Sequence, residues 1–144
     1  MGRIIKILFL LSALLVFARP ALAEPPLAGQ VIMLDPGHGG IDPGAVSGNV
    51  YEKDINLAVA LQLAELLRQD GAEVYLTRKD DSDYYPSSRC TLQDKRQDLT
   101  IRAEMARNAG AGILVSLHVN KDRHPGCQGA ETYYFPGSAE GQRL

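Results

Sequence analysis

The stretch Val31-Ile32-Met33-Leu34-Asp35-Pro36-Gly37-His38-Gly39-Gly40 decides how the chain is read. Four apolar residues in a row, with no polar alternation, read as a buried strand, and Asp35-Pro36-Gly37 halts it in a sharp loop. Further along, the period changes. Ile55, Val59, Leu63, Leu66 and Leu67 fall on one helical face, widened by Ala58, Leu61 and Ala64. Asn56, Gln62, Glu65, Arg68 and Gln69 lie largely outside that face, and Gly71 supplies a stop. Glu73–Thr77 reads as a second strand and Arg78–Arg96, polar and interrupted by Pro86, as a long loop of the kind that often carries function. Gln97–Asn108 returns to helical spacing through Leu99, Ile101, Met105 and Ala106. Ile113–Leu117 is a third strand, His118–Gly129 a loop and Glu131–Phe135 a fourth strand. Pro136-Gly137-Ser138 then forms a turn and N-cap into a further helix. The order β-α-β-α-β-β predicts an α/β fold, a mostly parallel twisted sheet flanked by helices.

Upstream of this region the composition shifts. Arg3 and Lys6 precede the apolar run Ile7–Ala18, and Ala21-Leu22-Ala23 fits a small-x-small cleavage site. Residues 1–23 are therefore expected to be an export signal and 24–29, opening Glu24-Pro25-Pro26, a linker. The domain proper occupies 30–144. The apolar run is short for a membrane span, which needs about 20 residues; an uncleaved anchor that keeps the domain at the membrane is the other reading of the same segment. The protein has 144 residues, no tryptophan and a formal net charge of −2, and the leader's basic residues make the remainder more acidic still. That balance gives no sign of a nucleic-acid binder, and none is expected as a partner; about 120 mature residues suffice for one core but not two. Cys90 and Cys127 are the only cysteines, and in an exported protein they are either a disulfide or two free thiols.

The residues able to carry chemistry gather where ligands bind in such sheets, outside the carboxyl ends of the strands. His38 stands among glycines after the first strand, Glu52 opens the first helix, and His118 ends the third strand. Two imidazoles and a carboxylate, with a fourth position open for water, form the ligand set of hydrolytic zinc. Each residue also has a plainer reading: His38 as a turn residue, Glu52 as a helix-start carboxylate favoured by the macrodipole, and His118 as a strand-end histidine bonded to a backbone carbonyl. The glycine loop does not match a phosphate-binding fingerprint, because Gly37–Asp42 lacks the last glycine of the dinucleotide pattern and no Gly-Lys-Ser/Thr occurs.

On the motifs Leu34-Asp35-Pro36-Gly37-His38-Gly39-Gly40, Asp42-Pro43-Gly44-Ala45, Glu52-Lys53-Asp54, Thr77-Arg78 and Ser116-Leu117-His118-Val119-Asn120, the chain resembles the zinc-dependent N-acetylmuramoyl-L-alanine amidases of the amidase-3 type. Ser88-Arg89, Asp94–Leu99 and Gly129-Ala130 are similar to the sporulation branch of that family. The resemblance implies Zn2+ held by His38, Glu52 and His118, with peptidoglycan as substrate. It implies hydrolysis of the amide between N-acetylmuramic acid and L-alanine, in the cell wall, periplasm or spore envelope. Family members also carry a catalytic glutamate near the C-terminus of the domain. It has no counterpart here, so the C-terminal part is expected to be missing, and Glu131 is not assigned to its place. An inactive or peptidoglycan-binding zinc domain and a different zinc hydrolase, such as a sugar deacetylase, are the rivals. Around the second helix, Arg89, Lys95, Arg96, Arg102 and Arg107 are either contacts for stem-peptide carboxylates or a solvated face. Tyr84-Tyr85-Pro86 is either a sugar-stacking tip or an ordinary exposed loop.

Overall fold

A computed structural model of the chain describes residues 23–85, 89–119, 126 and 129–143. The leader and the Cys90–Cys127 pairing, because it needs Cys127, lie outside the described residues. Among those described, three parallel strands form the sheet: β1 (Val31–Pro36), β4 (Glu73–Leu76) and β5 (Ile113–Leu117), in the order β4-β1-β5. Val31 pairs with Glu73 on one side of β1, and Ile32 with Ile113 on the other. β1 is thus central, and its continuous apolar run is what burial on both faces requires. Between β1 and the first helix the chain makes a small antiparallel hairpin, β2 (Val46–Ser47) and β3 (Val50–Tyr51), around Gly48-Asn49. Sequence periodicity missed it because each strand is only two residues long.

Helix α1 (Glu52–Gln69) carries the chain from the carboxyl edge of the sheet back to β4, and α2 (Leu92–Asn108) from β4 across to β5. Right-handed crossovers in opposite directions put the two helices on opposite faces. Side-chain alternation along β1 agrees. Ile32 and Leu34 pack with Ala60, Ala64, Ala72, Val74 and Leu76 on the α1 face. Asp35, one residue on, is bound by Arg102 of α2.

The inward face of α1 differs from the expected one. Asn56, Ala60 and Ala64 are buried and Leu63 and Leu67 partly so, while Ile55, Val59, Leu61 and Leu66 are exposed. Two alanines let the helix approach the sheet closely, so the buried stripe follows the small residues rather than the largest ones. Asn56 is drawn inside because its amide Nδ2 donates to the Gly37 carbonyl oxygen at 3.1 Å.

Helix α2 starts five residues earlier than its apolar spacing predicts. Thr91 is its N-cap: its hydroxyl accepts from the Asp94 N–H, and the Asp94 carboxylate accepts from the Thr91 N–H. This capping box starts the helix inside the stretch expected to be loop. The expected fourth strand is a further difference. Residues 130–135 have no regular structure, no strand lies beside them among the described residues, and Tyr133 and Phe135 are exposed. Unpaired, they have no ladder to join. The Ser138 cap does form: its hydroxyl accepts from the Gly141 N–H, and α3 (Ala139–Arg143) follows. No helix among the described residues is long and apolar enough to cross a membrane.

Candidate metal centre

The adjacent carboxyl ends of β1 and β5 bring His38 and His118 together, and the Gly37 N–H donates to the Leu117 carbonyl to tie the two ends. Glu52 enters from the first residue of α1. One ligand atom from each of His38, Glu52 and His118 lies within 4.8 Å of the others. The imidazoles meet edge to face, with ring centroids 4.8 Å apart. His38 Nε2 is 3.3 Å from Glu52 Oε2, and His118 Nδ1 is 3.0 Å from Glu52 Oε1. Glu52 is buried, and its oxygens also accept from the Ala45 N–H at 2.8 Å and the Val119 N–H at 3.0 Å. Burial opposes its charge, but those two amides, the His118 hydrogen bond and the nearby His38 ring more than offset that, so its carboxyl is held below the ordinary 4.5. A charged carboxylate flanked by two imidazole nitrogens is a donor set that suits Zn2+.

The space around these groups is set by two glycines. A β-carbon on Gly37 would lie 2.2 Å from His118 Cε1, and one on Gly44 would lie 2.6 Å from His38 Cδ2 and 2.7 Å from Glu52 Oε2. His38 itself sits at φ 63°, a left-handed conformation that costs a non-glycine residue energy and is retained where the surroundings over-determine it. The surroundings here are two guanidinium groups. Arg78 donates to the carbonyls of Pro36, Gly37 and Lys53, at 2.8, 3.0 and 2.8 Å. Arg102 donates to the carbonyls of Pro36 and His38, at 3.1 and 3.0 Å, and to the carboxylates of Asp35 and Asp98, at 2.8 and 2.7 Å. Asp35 also accepts from Thr77 and Ser116, each at 2.7 Å. Thr77 and Arg78 therefore act from below the loop, a role their sequence spacing gave no sign of.

An open cleft of about 210 Å³ runs from the two histidines past Asp42, Tyr85, Lys95 and Leu99. The basic residues around α2 divide on inspection. Arg102 is buried in the network just described and forms part of the cleft wall, its guanidinium already engaged by Asp35, Asp98 and two carbonyls. Lys95 lines the cleft and pairs with Asp42 at 2.9 Å. Arg96 and Arg107 are on the exposed side of the helix. The tyrosine tip is not free either. Tyr84 donates its hydroxyl to the Thr77 carbonyl and lies under the Arg102 guanidinium, while Tyr85 donates to Asp42 at 3.0 Å. Glu131 is exposed and accepts from the Tyr133 hydroxyl.

Comparison with known proteins agrees with the motifs. The family model described as Amidase_3, N-acetylmuramoyl-L-alanine amidase, matches residues 32–144. The chain belongs to this family. It is 37% identical over 120 residues to the germination-specific N-acetylmuramoyl-L-alanine amidase of Bacillus subtilis (strain 168), covering 83% of this chain and 51% of that relative. Among solved structures, the CwlD amidase from Clostridioides difficile, in complex with the GerS lipoprotein, is 43% identical, with a TM-score of 0.59 over 66% of this chain and 50% of that one. An N-acetylmuramoyl-L-alanine amidase from Clostridium difficile 630 is 35% identical, with a TM-score of 0.61 over 79% of this chain and 56% of that one. The Amidase_3 chain thus spans about half the length of the relatives it matches. These likenesses are to amidases, so neither a binding-only domain nor a sugar deacetylase is favoured.

Proposed function

We propose that this Amidase_3 chain acts on peptidoglycan as a zinc-dependent amidase, cleaving the amide between the lactyl group of N-acetylmuramic acid and L-alanine. The observation that carries the reading is the convergence of His38, Glu52 and His118 at the carboxyl edge of the sheet. Zn2+ held by these three residues supplies a Lewis acid for the substrate carbonyl and lowers the pKa of water toward neutrality. The chain's own groups do the holding. Glu52 is kept ionised by the Ala45 and Val119 amides, and Gly37 and Gly44 leave room for both rings. The cleft beside them exposes His118 to a substrate. The other carboxylates that line it, Asp35, Asp42 and Asp98, are each bound to a cation or an imidazole of the fold, which suits them to holding rather than to moving a proton.

The setting follows from the leader and the relatives. Residues 1–23 direct export, or anchor the chain at the membrane, and place residues 30–144 against the wall, outside the cytoplasm. The likeness to a germination-specific amidase supports a role in the spore cortex.

Zinc content and release of stem peptides from purified cell wall test the proposal together. One zinc per chain, peptide release abolished by a chelator and restored by Zn2+, and loss of zinc in His38→Ala and His118→Ala are expected. Stoichiometric zinc without peptide release would overturn the enzyme reading for this chain. Full metal occupancy in both histidine variants would overturn the ligand assignment. Mass spectrometry of the digested wall separates amide cleavage from acetate loss.

A further inference from the structure

Asp42 has no part in the ligand set, yet its side chain is the meeting point of three elements. Its Oδ2 accepts from His38 Nδ1 at 3.0 Å, from the Tyr85 hydroxyl at 3.0 Å and from Lys95 Nζ at 2.9 Å. Its Oδ1 accepts from the Gly44 N–H at 3.3 Å. Its backbone closes the loop around His38, because the Gly39 and Asp42 N–H groups each donate to the other's carbonyl, at 3.0 and 2.9 Å.

We infer that Asp42 is a positioning residue, which fixes the orientation of His38 so that Nδ1–H is spent on the carboxylate and the Nε2 lone pair faces Glu52. Lys95 and Tyr85 hold Asp42 in that duty. The inference rests on His38 being a metal ligand. A neutral imidazole has one protonated and one free nitrogen, and the partner of the first decides which nitrogen is left for a metal. Nδ1 meets the Asp42 carboxylate and Nε2 faces Glu52, so among the described residues the fold assigns the two nitrogens opposite tasks. Lys95 belongs to α2 and Tyr85 to the segment before it. The first turn of α2 is therefore mechanically part of the site although it donates no ligand.

The test compares the full chain with Asp42→Ala, Asp42→Asn, Lys95→Met and Tyr85→Phe. Three readouts are used: zinc affinity by chelator competition, the coordinating nitrogen of His38 by 15N NMR of the cadmium-113-loaded protein, and thermal unfolding of the zinc-free chain. Asp42→Ala is expected to weaken zinc binding by about 10- to 100-fold and to mix Nδ1 with Nε2 coordination. Asp42→Asn, which still accepts from Nδ1–H, keeps Nε2 coordination with a smaller loss of affinity, and it serves as the isosteric reading if Asp42→Ala fails to fold. Lys95→Met and Tyr85→Phe give smaller losses again, with the nitrogen unchanged. Unchanged zinc affinity and pure Nε2 coordination in the Asp42 variants, with only the unfolding temperature lowered, would overturn the inference. His38→Ala is the control: if zinc binds that variant normally, it is the ligand assignment that has failed, not the positioning role.

Discussion

The two long helices meet the same sheet with opposite chemistry. Each has a four-residue stripe at i, i+4 spacing buried along its length: Glu52, Asn56, Ala60 and Ala64 in α1, and Asp94, Asp98, Arg102 and Ala106 in α2. In both, the N-terminal members sit at the carboxyl edge of the sheet and are polar, while the last is alanine. In α1 two alanines lie against Ile32 and Leu34, and the interface is held by apolar burial and close packing. In α2 the stripe is charged over three of its four members, and the contact with the sheet passes through Arg102 to Asp35. The difference shows that the side of the sheet facing α2 is built for positioning. A guanidinium that binds two carboxylates and two carbonyls fixes the β1 end and the His38 backbone at once, which a leucine cannot do.

The comparison breaks most severely at Arg102. Arg102→Met leaves Asp35 and Asp98 buried without their cation and is expected to cost about 3–5 kcal/mol in denaturant unfolding. Arg102→Lys, with one point charge for a planar fork, should recover only part of that and leave zinc binding weakened. Overfilling the other side is the matching insult. Ala64→Leu forces α1 away from the sheet and should cost about 1–3 kcal/mol, with little effect on zinc affinity once the variant is folded. If the two variants impaired zinc binding equally at matched stability, the division of labour between the helices would be wrong.

Acid sharpens the contrast next. Burial opposes the charge on Asp35, but Arg102, Thr77 and Ser116 more than offset it, so its carboxyl titrates below the ordinary 3.8. A depressed folded value contributes stability that is fully present above the unfolded value and is lost as pH falls through the folded one. Unfolding free energy should therefore fall on acidification below about pH 4, and Arg102→Met should flatten that slope whereas Ala64→Leu leaves it intact. The smallest effect is expected at Asn56. Asn56→Ala removes one donor to the Gly37 carbonyl, which keeps Arg78 as a partner, so a loss of about 1 kcal/mol in thermal or denaturant unfolding is expected.

The same contrast explains how much of the fold was legible from residues alone. β1, β4 and β5 appear within two residues of their expected bounds, because an unbroken apolar run followed by Asp-Pro-Gly or Gly-rich punctuation has few other solutions. The existence of α1 is legible but its inward face is not, since apolar spacing favours the large Ile55 and Leu66 and leaves Asn56 outside. For α2 the apolar signal was misleading at its start. Its buried stripe is Asp94, Asp98 and Arg102, which a hydrophobic period counts as exterior, and Thr91 with Asp94 was the available clue to the true beginning. The hairpin Val46–Tyr51 is too short to register, and Glu131–Phe135 has the β-favouring residues of a strand, Thr132 to Phe135, without a neighbour among the described residues. At the site, His38, Glu52 and His118 were legible as candidates because each stands at the end of an element. Asp42, Thr77 and Arg78 are legible only as parts of motifs. Thr77 and Arg78 reach Asp35, Pro36 and Gly37 across more than forty residues, and Asp42 meets Tyr85 and Lys95 across a similar gap. The four-residue spacing of Asp42 from His38 lies in a loop, where no period assigns a contact.

The closeness of Gly37 and Gly44 to the imidazoles has a practical consequence for surveying other genomes. A chain that carries the two histidines and the glutamate at these spacings, but has alanine in place of Gly44, would push a methyl group to within 2.6 Å of one ring and 2.7 Å of the carboxylate. Such a chain matches the donor pattern and still cannot assemble this geometry. Counting donors therefore overestimates the number of working sites, and the absence of two methyl groups is the more discriminating filter.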